Sequence, residues 1–489
     1  APPHRPLRSD RSAGMGETPE TLKAAANALF KEHKYAKAVE AYSRALEVSP
    51  DNAILLSNRA FAHVRLENYG SAIEDASKAI ESDPNYIKAY YRRGTSQYAL
   101  GRLTDALKDF KTVCRMQPQD RDGRMKLKEC ESALRKRRFE EAIAAPEEET
   151  VKVSATVDVD AMVIDSTYDG ARLGDDKVIT KAFVEDMIAR FKDQKTIAFK
   201  YAFEILMQSK AILEALPTLV DVPVPEGTHF TVCGDVHGQF FDMCNIFDLN
   251  GPPSAENPYL FNGDFVDRGS YSTEVIMTLL AYKCMDPSCV HLVRGNHETA
   301  AMNKMYGFDG EVKAKYSVKL ADLFQEVFQY LPLAVVLGEK VFVVHGGLFS
   351  RDGVTLDDLR KIDRFHEPPD SGEFCEMLWS DPGPAPGRQP SKRGVGVAFG
   401  ADVTKKFLEL NGLELVVRSH EVKDEGFEVD HDGKLITVFS APNYCDQMGN
   451  KGAFIRFESD MTPHFTQFDA VPHPPSRPMQ YASNSFMFQ

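Results

Sequence analysis

The stretch Gly234-Asp235-Val236-His237-Gly238 decides how the second half of this chain folds, because two metal-binding side chains follow the apolar run Phe230–Cys233 directly. The same arrangement recurs at Gly263-Asp264-Phe265-Val266-Asp267-Arg268-Gly269 and at Gly295-Asn296-His297-Glu298. Short apolar runs that end at glycine are typical of buried strands followed by turns. We therefore expect these polar side chains to cluster at one edge of a sheet.

Two further histidines follow strand-like runs in the same way. His345 comes after Val341–Val344, and His420 comes just after Leu415–Arg418. A single histidine at a strand end is more often a packing residue than a ligand, but here six candidates occur together. They offer carboxylate, amide and imidazole groups without a thiolate: Asp235, His237, Asp264, Asn296, His345 and His420. This mixture suits manganese, iron or zinc, whereas magnesium and calcium prefer more oxygen.

The first part of the chain repeats with a period of 34 residues. Alanine recurs at that interval, as does proline: Ala38, Ala72, Ala106, Pro50, Pro84 and Pro118. This period is diagnostic of tetratricopeptide helix pairs, in which proline ends each second helix. Generic helical hairpins that share residues by chance are the alternative, but two coincident series argue against it.

Changes in composition divide the chain into five segments. We predict a disordered leader at 1–16, three tetratricopeptide repeats with a capping helix at 17–145, and a polar linker at 146–164. Alternating strands and helices then predict an α+β domain at 165–475, followed by a tail at 476–489. The fold class is thus multidomain, an all-α solenoid followed by an α+β domain.

Charge and hydropathy exclude several classes of function. The formal net charge of −14 argues against a nucleic-acid partner, since such binding depends on basic surface. No run of 18 apolar residues occurs, and the N-terminus lacks an apolar signal core, so neither a membrane span nor secretion is predicted. We expect a cytoplasmic protein that is also nuclear, although the basic cluster Arg135–Arg138 is better explained as a solvated helix face.

The three blocks resemble the motifs of the phosphoprotein phosphatase family of metallophosphoesterases over about residues 165 to 475. Further segments match at Leu378–Pro382, Arg418–Glu421 and Ser440–Cys445. With repeats in front, the chain resembles the type 5 branch of that family. The resemblance implies a central β-sandwich flanked by helices. It also implies a serine/threonine protein phosphatase, which hydrolyses phosphoserine and phosphothreonine esters with a hydroxide shared by two metal ions.

The resemblance also implies which residues bind the two ions, which would be manganese, iron, zinc or magnesium. The first ion would be held by Asp235, His237 and Asp264. The second would be held by the shared Asp264 and by three more ligands, Asn296, His345 and His420. Two cations that share a ligand can ionise a water between them and stabilise an in-line transition state.

The remaining site residues follow from the same resemblance. Arg268 and Arg393 would bind the phosphate oxygens, together with Asn296 and Tyr444. His297, oriented by Asp267, would protonate the departing alkoxide. The chain has neither a Cys-x5-Arg loop nor a Walker loop, so hydrolysis by metal-activated water is the expected chemistry.

Basic and amide side chains on the repeats suggest a peptide-binding groove. They match the carboxylate clamp with which such repeats bind the acidic C-terminus of the ninety-kilodalton heat-shock chaperone: Lys23, Asn27, Asn58, Lys88 and Arg92. Ordinary solvated lysines are the alternative. The resemblance further implies autoinhibition relieved by the chaperone or by a fatty acid, with Glu67 and the apolar tail Ser485–Phe488 as candidate shields.

Two other functions share some of these features. A metallophosphoesterase acting on a different phosphate ester would use the same metal ligands, but Arg268, Arg393 and Tyr444 favour phosphoproteins. A non-catalytic chaperone adaptor would keep the repeats and lose the enzyme, but the complete ligand set argues against it.

Overall fold

A computed structural model describes residues 18–143 and 152–482, which form two compact units divided after Ile143. The predicted leader at 1–16 and the apolar end of the tail lie outside the described residues. In the described parts of the chain, no helix is long and apolar enough to cross a membrane.

The first unit is a regular array of helix pairs. Its first helices begin 34 residues apart, as do its second helices. Within residues 18–143 the helices are α1 Pro19–Lys31, α2 Tyr35–Val48, α3 Ala53–Arg65, α4 Tyr69–Ser82, α5 Ile87–Ala99, α6 Leu103–Met116 and α7 Arg121–Ile143. The repeating alanines Ala38, Ala72 and Ala106 are fully buried where helices pack closely. The predicted repeats are confirmed.

A buried ion pair recurs with the same period. Arg59 donates to both carboxylate oxygens of Asp75, at 2.8 and 2.7 Å, and to Ser43 Oγ at 2.9 Å. Arg93 repeats this with Asp109, at 2.8 and 2.9 Å, and with a serine on α4. Each guanidinium therefore connects three successive helices, a feature that the sequence analysis did not identify.

The second unit contains short strands and helices in alternation. Its described helices are α8 Lys181–Lys192, α9 Phe199–Glu214, α10 Phe240–Asn250, α11 Ser272–Met285, α12 Ala300–Tyr306, α13 Phe308–Lys315, α14 Val318–Gln329, α15 Leu356–Arg360, α16 Glu373–Trp379 and α17 Ala401–Asn411. Its described strands are β1 Leu219–Val222, β2 His229–Cys233, β3 Tyr259–Phe261, β4 Val290–Leu292, β5 Ala334–Leu337, β6 Val341–Val344, β7 Asp381–Pro382, β8 Arg388–Pro390, β9 Val397–Phe399, β10 Leu415–Arg418, β11 Phe427–Asp430, β12 Leu435–Val438, β13 Gly452–Glu458 and β14 Pro463–Phe468.

The strands form two large sheets packed face to face, plus a small sheet of β7, β9 and β8. The strand orders in the described chain are β1-β5-β6-β10-β12-β11 and β14-β13-β2-β3-β4. Alternate residues from both sheets, such as Val232, Leu260, Val343 and Val417, form the core between them. The intervening residues pack under helices on the outer faces, which explains why inner strands such as β5 and β6 are buried along their whole length. The predicted β-sandwich flanked by helices is confirmed.

The strands that precede the metal-binding blocks belong to two sheets, which corrects the expectation of one sheet edge. Strands β2, β3 and β4 lie parallel in one sheet, and β6 and β10 lie parallel in the other. Bonds at their carboxyl ends join the sheets: Asp235 forms an isolated parallel bridge with Phe439, and Asn262 Nδ2 donates to Val344 O at 2.9 Å. The candidate ligands therefore meet at a rim shared by both sheets.

Part of the segment predicted as a linker packs on the second unit instead. Residues Val153–Thr156 form a 3₁₀ turn, and Ser154 donates its N–H and its hydroxyl to the Glu326 carboxylate at 2.9 and 2.5 Å. Lys319 Nζ donates to Thr156 O at 2.8 Å. These bonds act together with Val153, Val157 and Val159, which pack on the core of the second unit, and the linker prediction did not take these apolar residues into account.

Candidate active site

The candidate ligands occupy strained backbone at the rim. His237, Asp264 and His420 have positive φ angles of 40°, 51° and 70°. Such angles cost about 1–3 kcal/mol each for residues other than glycine, and they persist where the surroundings enforce them. Glycines permit the crowding, since a Cβ on Gly263 would lie 2.6 Å from His345 Nδ1. Close approach of the blocks therefore explains why glycine flanks the ligands.

One group of candidate ligands surrounds His345 Nε2. This nitrogen lies 3.4 Å from Asp264 Oδ2, 3.0 Å from Asn296 Oδ1 and 3.2 Å from His420 Nδ1. All of these residues are buried. This is the predicted second set, brought together from β3, β4, β6 and β10.

A second group surrounds His237 Nε2 and shares Asp264 with the first. His237 Nε2 lies 3.7 Å from Asp235 Oδ2 and 3.5 Å from Asp264 Oδ2. Asp235 also reaches the other group, because its Oδ1 accepts from the backbone N–H of His420 at 3.1 Å. The structure thus brings all six predicted ligands into two adjacent groups with Asp264 between them.

The chemistry of both groups fits metal ions. His345 Nδ1–H donates to Asn262 O at 2.7 Å, and His237 Nδ1–H donates to Val266 O at 3.0 Å. In each ring this leaves the Nε2 lone pair facing the oxygen of another acceptor, an arrangement that a cation stabilises. Burial lowers the pKa of His237 well below its ordinary value, so the ring stays neutral as a ligand requires.

The two aspartates show the effect of burial without a counterion. Burial, with the neighbouring Asp264 next in importance, raises the pKa of Asp235 to about 7. Burial likewise raises the pKa of Asp264 well above its ordinary value. A pair of cations would return both groups to the ionised form.

His297 and Asp267 form the predicted pair. Their Nδ1 and Oδ2 atoms lie 2.9 Å apart, and both side chains are buried. His297 also lies close enough to His237 and Asp264 for the three to surround an ion. Nδ1 is bonded to Asp267, so proton donation or metal binding by this ring would use Nε2.

Arg393 is held in place by a carboxylate that the sequence analysis quoted but gave no role. Its Nε lies 2.7 Å from Asp381 Oδ2, and its Nη2 donates to His420 O at 2.8 Å. Burial alone would raise the pKa of Asp381, but Arg393, Lys392 and Arg418 hold it below its ordinary value. This leaves Nη1 of Arg393 without a hydrogen-bond partner among the described residues and available for a phosphate oxygen.

Arg268 and Tyr444 lie on the other side of the rim. The Arg268 guanidinium lies 3.8 Å from the centre of the Tyr306 ring, and its Nη1 contacts Met479 Sδ at 3.7 Å. The Tyr444 ring lies 5.1 Å from the His237 ring, and burial raises its pKa well above the ordinary value. The described part of the tail, residues 476–482, therefore packs beside Arg268.

Glu298 is a further residue whose role the sequence analysis missed. Its Oε2 accepts from the N–H groups of Asp264 and Gly295 at 2.8 and 2.9 Å, and its Oε1 accepts from Phe265 N–H at 2.9 Å. It thereby fixes the second block against the third. Its place in the Gly-Asn-His-Glu motif was the available signal.

The candidate clamp residues lie on successive first helices of the repeats. Asn58 Nδ2 lies 3.4 Å from Asn27 Oδ1, and Arg92 Nη1 donates to Asn58 Oδ1 at 3.2 Å. Lys23 and Lys88 lie one turn earlier on α1 and α5. Burial lowers the pKa of Arg92 to about 10, and no carboxylate lies within ion-pairing distance of it among the described residues.

Glu67 lies in the turn between α3 and α4 and has a positive φ of 60°. It is half-buried within the repeat unit, where its carbonyl accepts from Tyr69 N–H at 2.8 Å. Its predicted role as a shield stays a prediction.

Comparisons with known proteins agree with this site. The family model for calcineurin-like phosphoesterases matches residues 228–424, and models for tetratricopeptide repeats match residues 26–67, 58–121 and 91–152. A model for the PPP5 TPR repeat region matches residues 127–221.

Similar proteins match over nearly the whole chain. Serine/threonine-protein phosphatase 5 of Homo sapiens is 53% identical over 465 residues, which are 95% of this chain and 93% of that protein. The Arabidopsis thaliana protein of the same name is 55% identical over 520 residues, 95% of this chain and 96% of that protein. A solved Saccharomyces cerevisiae protein serine/threonine phosphatase, with similarity to human phosphatase PP5, is 41% identical with a TM-score of 0.60, and covers 62% of this chain and 100% of its own. The chain belongs to the serine/threonine-protein phosphatase 5 family, metal-dependent phosphatases with tetratricopeptide repeats before the catalytic domain.

Proposed function

We propose that the protein hydrolyses phosphoserine and phosphothreonine esters in proteins with two metal ions, drawn from manganese, iron, zinc and magnesium. The observation that carries this proposal is the position of Asp264, whose Oδ2 lies 3.5 Å from His237 Nε2 and 3.4 Å from His345 Nε2. One carboxylate can therefore contact both ions. When bound, such a pair supplies Lewis acidity and an ionised water.

The chain's own residues hold the substrate phosphate. Asp381 fixes the guanidinium of Arg393, whose Nη1 would donate to a phosphate oxygen. The guanidinium of Arg268 is fixed against the Tyr306 ring. The buried Nδ2 of Asn296 has no hydrogen-bond partner among the described residues and supplies a third donor. Donors that are already oriented stabilise the charge of the transition state without reorganising.

His297 would donate the proton that the leaving group needs. Asp267 binds its Nδ1 side, so in the doubly protonated ring the proton on Nε2 would be the one transferred to the serine or threonine oxygen. A general acid of this kind contributes about 10²- to 10⁴-fold in rate for a leaving group that departs poorly as an alkoxide.

Phosphate release from a phosphoserine peptide, compared with release from a phosphodiester, tests the reaction. We expect turnover of the monoester with each added metal and negligible turnover of the diester. Preference for the diester would instead indicate a phosphoesterase with another substrate. An Asp264→Asn variant with full activity would indicate a non-catalytic site and activity from elsewhere.

The repeat unit would bind an acidic peptide C-terminus, such as that of the ninety-kilodalton heat-shock chaperone. The connected side chains of Asn27, Asn58 and Arg92 support this, because amide and cationic donors from three repeats converge without a carboxylate to neutralise Arg92. Calorimetric titration with a peptide ending in an acidic residue tests it. Arg92→Ala should weaken binding at least about tenfold, and the same peptide with an amidated C-terminus should not bind.

We also propose that the repeats and the tail restrain the enzyme. The packing of Met479 on Arg268 supports a restraining tail, and Glu67 is the candidate on the repeats. A chain cut near Pro146 should turn over a phosphopeptide faster than the full chain, and a long-chain fatty acid should raise the activity of the full chain alone. Equal activity of the cut and full chains would exclude restraint by the repeats.

A further inference from the structure

One buried amide touches both members of the His297–Asp267 pair. Asn303 lies on α12, and its side chain is fully buried. Its Nδ2 donates to Asp267 Oδ2 at 3.0 Å and to the backbone carbonyl of His297 at 2.6 Å. Its Oδ1 accepts from Gln325 Nε2 at 2.8 Å. Both N–H groups of this amide are therefore used, and its oxygen is bonded to a residue of α14.

The planar amide fixes the geometry of the pair. Its two N–H groups diverge in one plane, so satisfying both acceptors sets the position of the Asp267 carboxylate relative to the His297 backbone. The other carboxylate oxygen, Oδ1, accepts from Phe308 N–H at 2.9 Å. Asp267 itself has a positive φ of 70°, which requires support from its surroundings. Asn303 supplies part of this support, because it donates to Asp267 Oδ2, the same oxygen that His297 Nδ1 contacts.

We infer that Asn303 is a positioning residue for proton donation by His297, and that Gln325 supports it. This inference rests on the proposed role of His297 as the acid. By holding Asp267 Oδ2 in place, Asn303 keeps the Nδ1 side of the His297 ring bound to Asp267, which fixes the direction in which Nε2 points.

The step that depends on this arrangement is cleavage of the phosphoester. A water that has already given up one proton to solvent attacks through its oxygen, which forms a new bond to phosphorus while the bond between phosphorus and the serine oxygen breaks. Its second proton stays on the product phosphate. The electron pair of the broken bond passes to the serine oxygen, which takes the proton from His297 Nε2. The ring is left neutral and is protonated again by solvent. A misplaced ring slows this step only when the leaving group needs the proton.

Tyr306, three residues further on, offers a matched comparison. Its ring packs under the Arg268 guanidinium, and its carbonyl accepts from Arg268 N–H at 3.3 Å. The same short helix thus contacts the His297–Asp267 pair through Asn303 and the phosphate-binding arginine through Tyr306, whose ring centre also lies 5.1 Å from that of His297. Only Tyr306 packs on the arginine, so its replacement should change KM as well as kcat.

The experiment measures kcat and KM of the full chain with two substrates. A phosphoserine peptide needs a proton on its leaving group, whereas a nitrophenyl phosphate releases a phenolate that does not. We expect Asn303→Ala to lower kcat for the peptide about 30-fold, the range seen when an orienting hydrogen bond is lost, and to lower kcat for the nitrophenyl ester less than about 3-fold. Gln325→Met should act in the same direction with a smaller effect. Asn303→Ser, which keeps one donor, should recover part of the loss.

Controls separate the inference from the function on which it rests. Tyr306→Leu should raise KM for both substrates by the same factor. One contrary outcome is that Asp267→Asn lowers kcat for the peptide alone while Asn303→Ala does not. In that case the positioning role of Asn303 is wrong, and the role of His297 as general acid is retained. If Asp267→Asn lowers kcat equally for both substrates, the assignment of His297 as the general acid is wrong. Should the Asn303 variants fail to fold, Gln325→Met decides, because an equal effect on both substrates would overturn the inference.

Discussion

The repeat unit and the catalytic rim treat buried charge in opposite ways. In the repeats, the Asp75 and Asp109 carboxylates are each paired with two nitrogens of a guanidinium. At the rim, Asp235 and Asp264 lie together with neutral imidazoles. The first arrangement is complete without a ligand, and the second is complete only with cations. Buried charge that the chain itself does not balance is thus the clearest indication of where function lies.

The largest difference should appear when the same substitution is made in each region. Asp264→Asn replaces a carboxylate that belongs to both candidate metal groups. Losing only the hydrogen-bond partner of a ligand typically costs about 10- to 100-fold in activity. Phosphate release should therefore fall by more than about 100-fold. Asp75→Asn in the repeats should not lower the turnover of a small phosphate ester by more than about 2-fold. Phosphate release and elemental analysis of both variants check this. Normal metal content and activity in Asp264→Asn would refute the comparison.

The second difference concerns pH in the metal-free protein. Burial raises the pKa of Asp235 to about 7 and that of Asp267 to about 8, above their ordinary value near 3.9. The folded state therefore holds protons that the unfolded state releases, so this stabilisation is fully present below pH 4 and is lost as pH rises through 7 to 8. When a chelator has removed the metal, the free energy of unfolding of the catalytic unit should fall by a few kcal/mol between pH 5 and 8.

Adding metal should remove or reverse that pH dependence, because binding requires ionised carboxylates and becomes tighter as pH rises. Denaturant unfolding of the chelated and metal-loaded chains at several pH values measures it. Parallel pH profiles with and without metal would contradict the assignment of these groups to a cation site.

A third effect should be confined to the repeats. Asp75→Asn leaves the Arg59 guanidinium half-buried without its carboxylate, which should cost about 3 kcal/mol. Asp109→Asn should cost a similar amount, since Arg93 binds Asp109 as Arg59 binds Asp75, although Asp75 also has His63 Nε2 at 3.8 Å where the next repeat has Gln97. Calorimetry should show the repeat transition shifted to lower temperature and the catalytic transition unchanged. A cost for only one of the two variants would show that the periodic pairs are not equivalent.

The smallest expected effect is a difference between two cations of the candidate clamp in their contribution to peptide binding. Lys88 is exposed, whereas Arg92 is half-buried and its guanidinium lies 4.8 Å from the centre of the Phe61 ring. Lys88→Ala should weaken binding of an acidic peptide by about 1 kcal/mol or less, and the difference should disappear at high salt. Titration of the peptide at two salt concentrations measures this. A larger loss for Lys88→Ala than for Arg92→Ala would mean that the peptide lies elsewhere.

The sequence predicted local elements and the clustering of the candidate ligands, because both depend on short patterns. The apolar run Val341–Val344 is β6 with those bounds, and the six candidate ligands lie close together. The placement of all of them at one sheet edge was wrong, since an apolar run does not indicate which of two sheets a strand joins. The Arg59–Asp75 pair was missed because residues 16 apart on different helices make no local pattern. Asn303 was missed because its partners come from three separate segments.

The periodic pairs also determine where the helical array should open first. Each guanidinium spans a repeat boundary, from Ser43 through Arg59 to Asp75, while the equivalent positions one repeat earlier, Ala25 and Ala41, are alanines. The first helix pair therefore contacts the second through Ser43 but has no arginine–aspartate pair of its own. Amide protons in α1 should exchange with solvent sooner than those in α4, and a peptide that bridges the first and third repeats would delay that fraying.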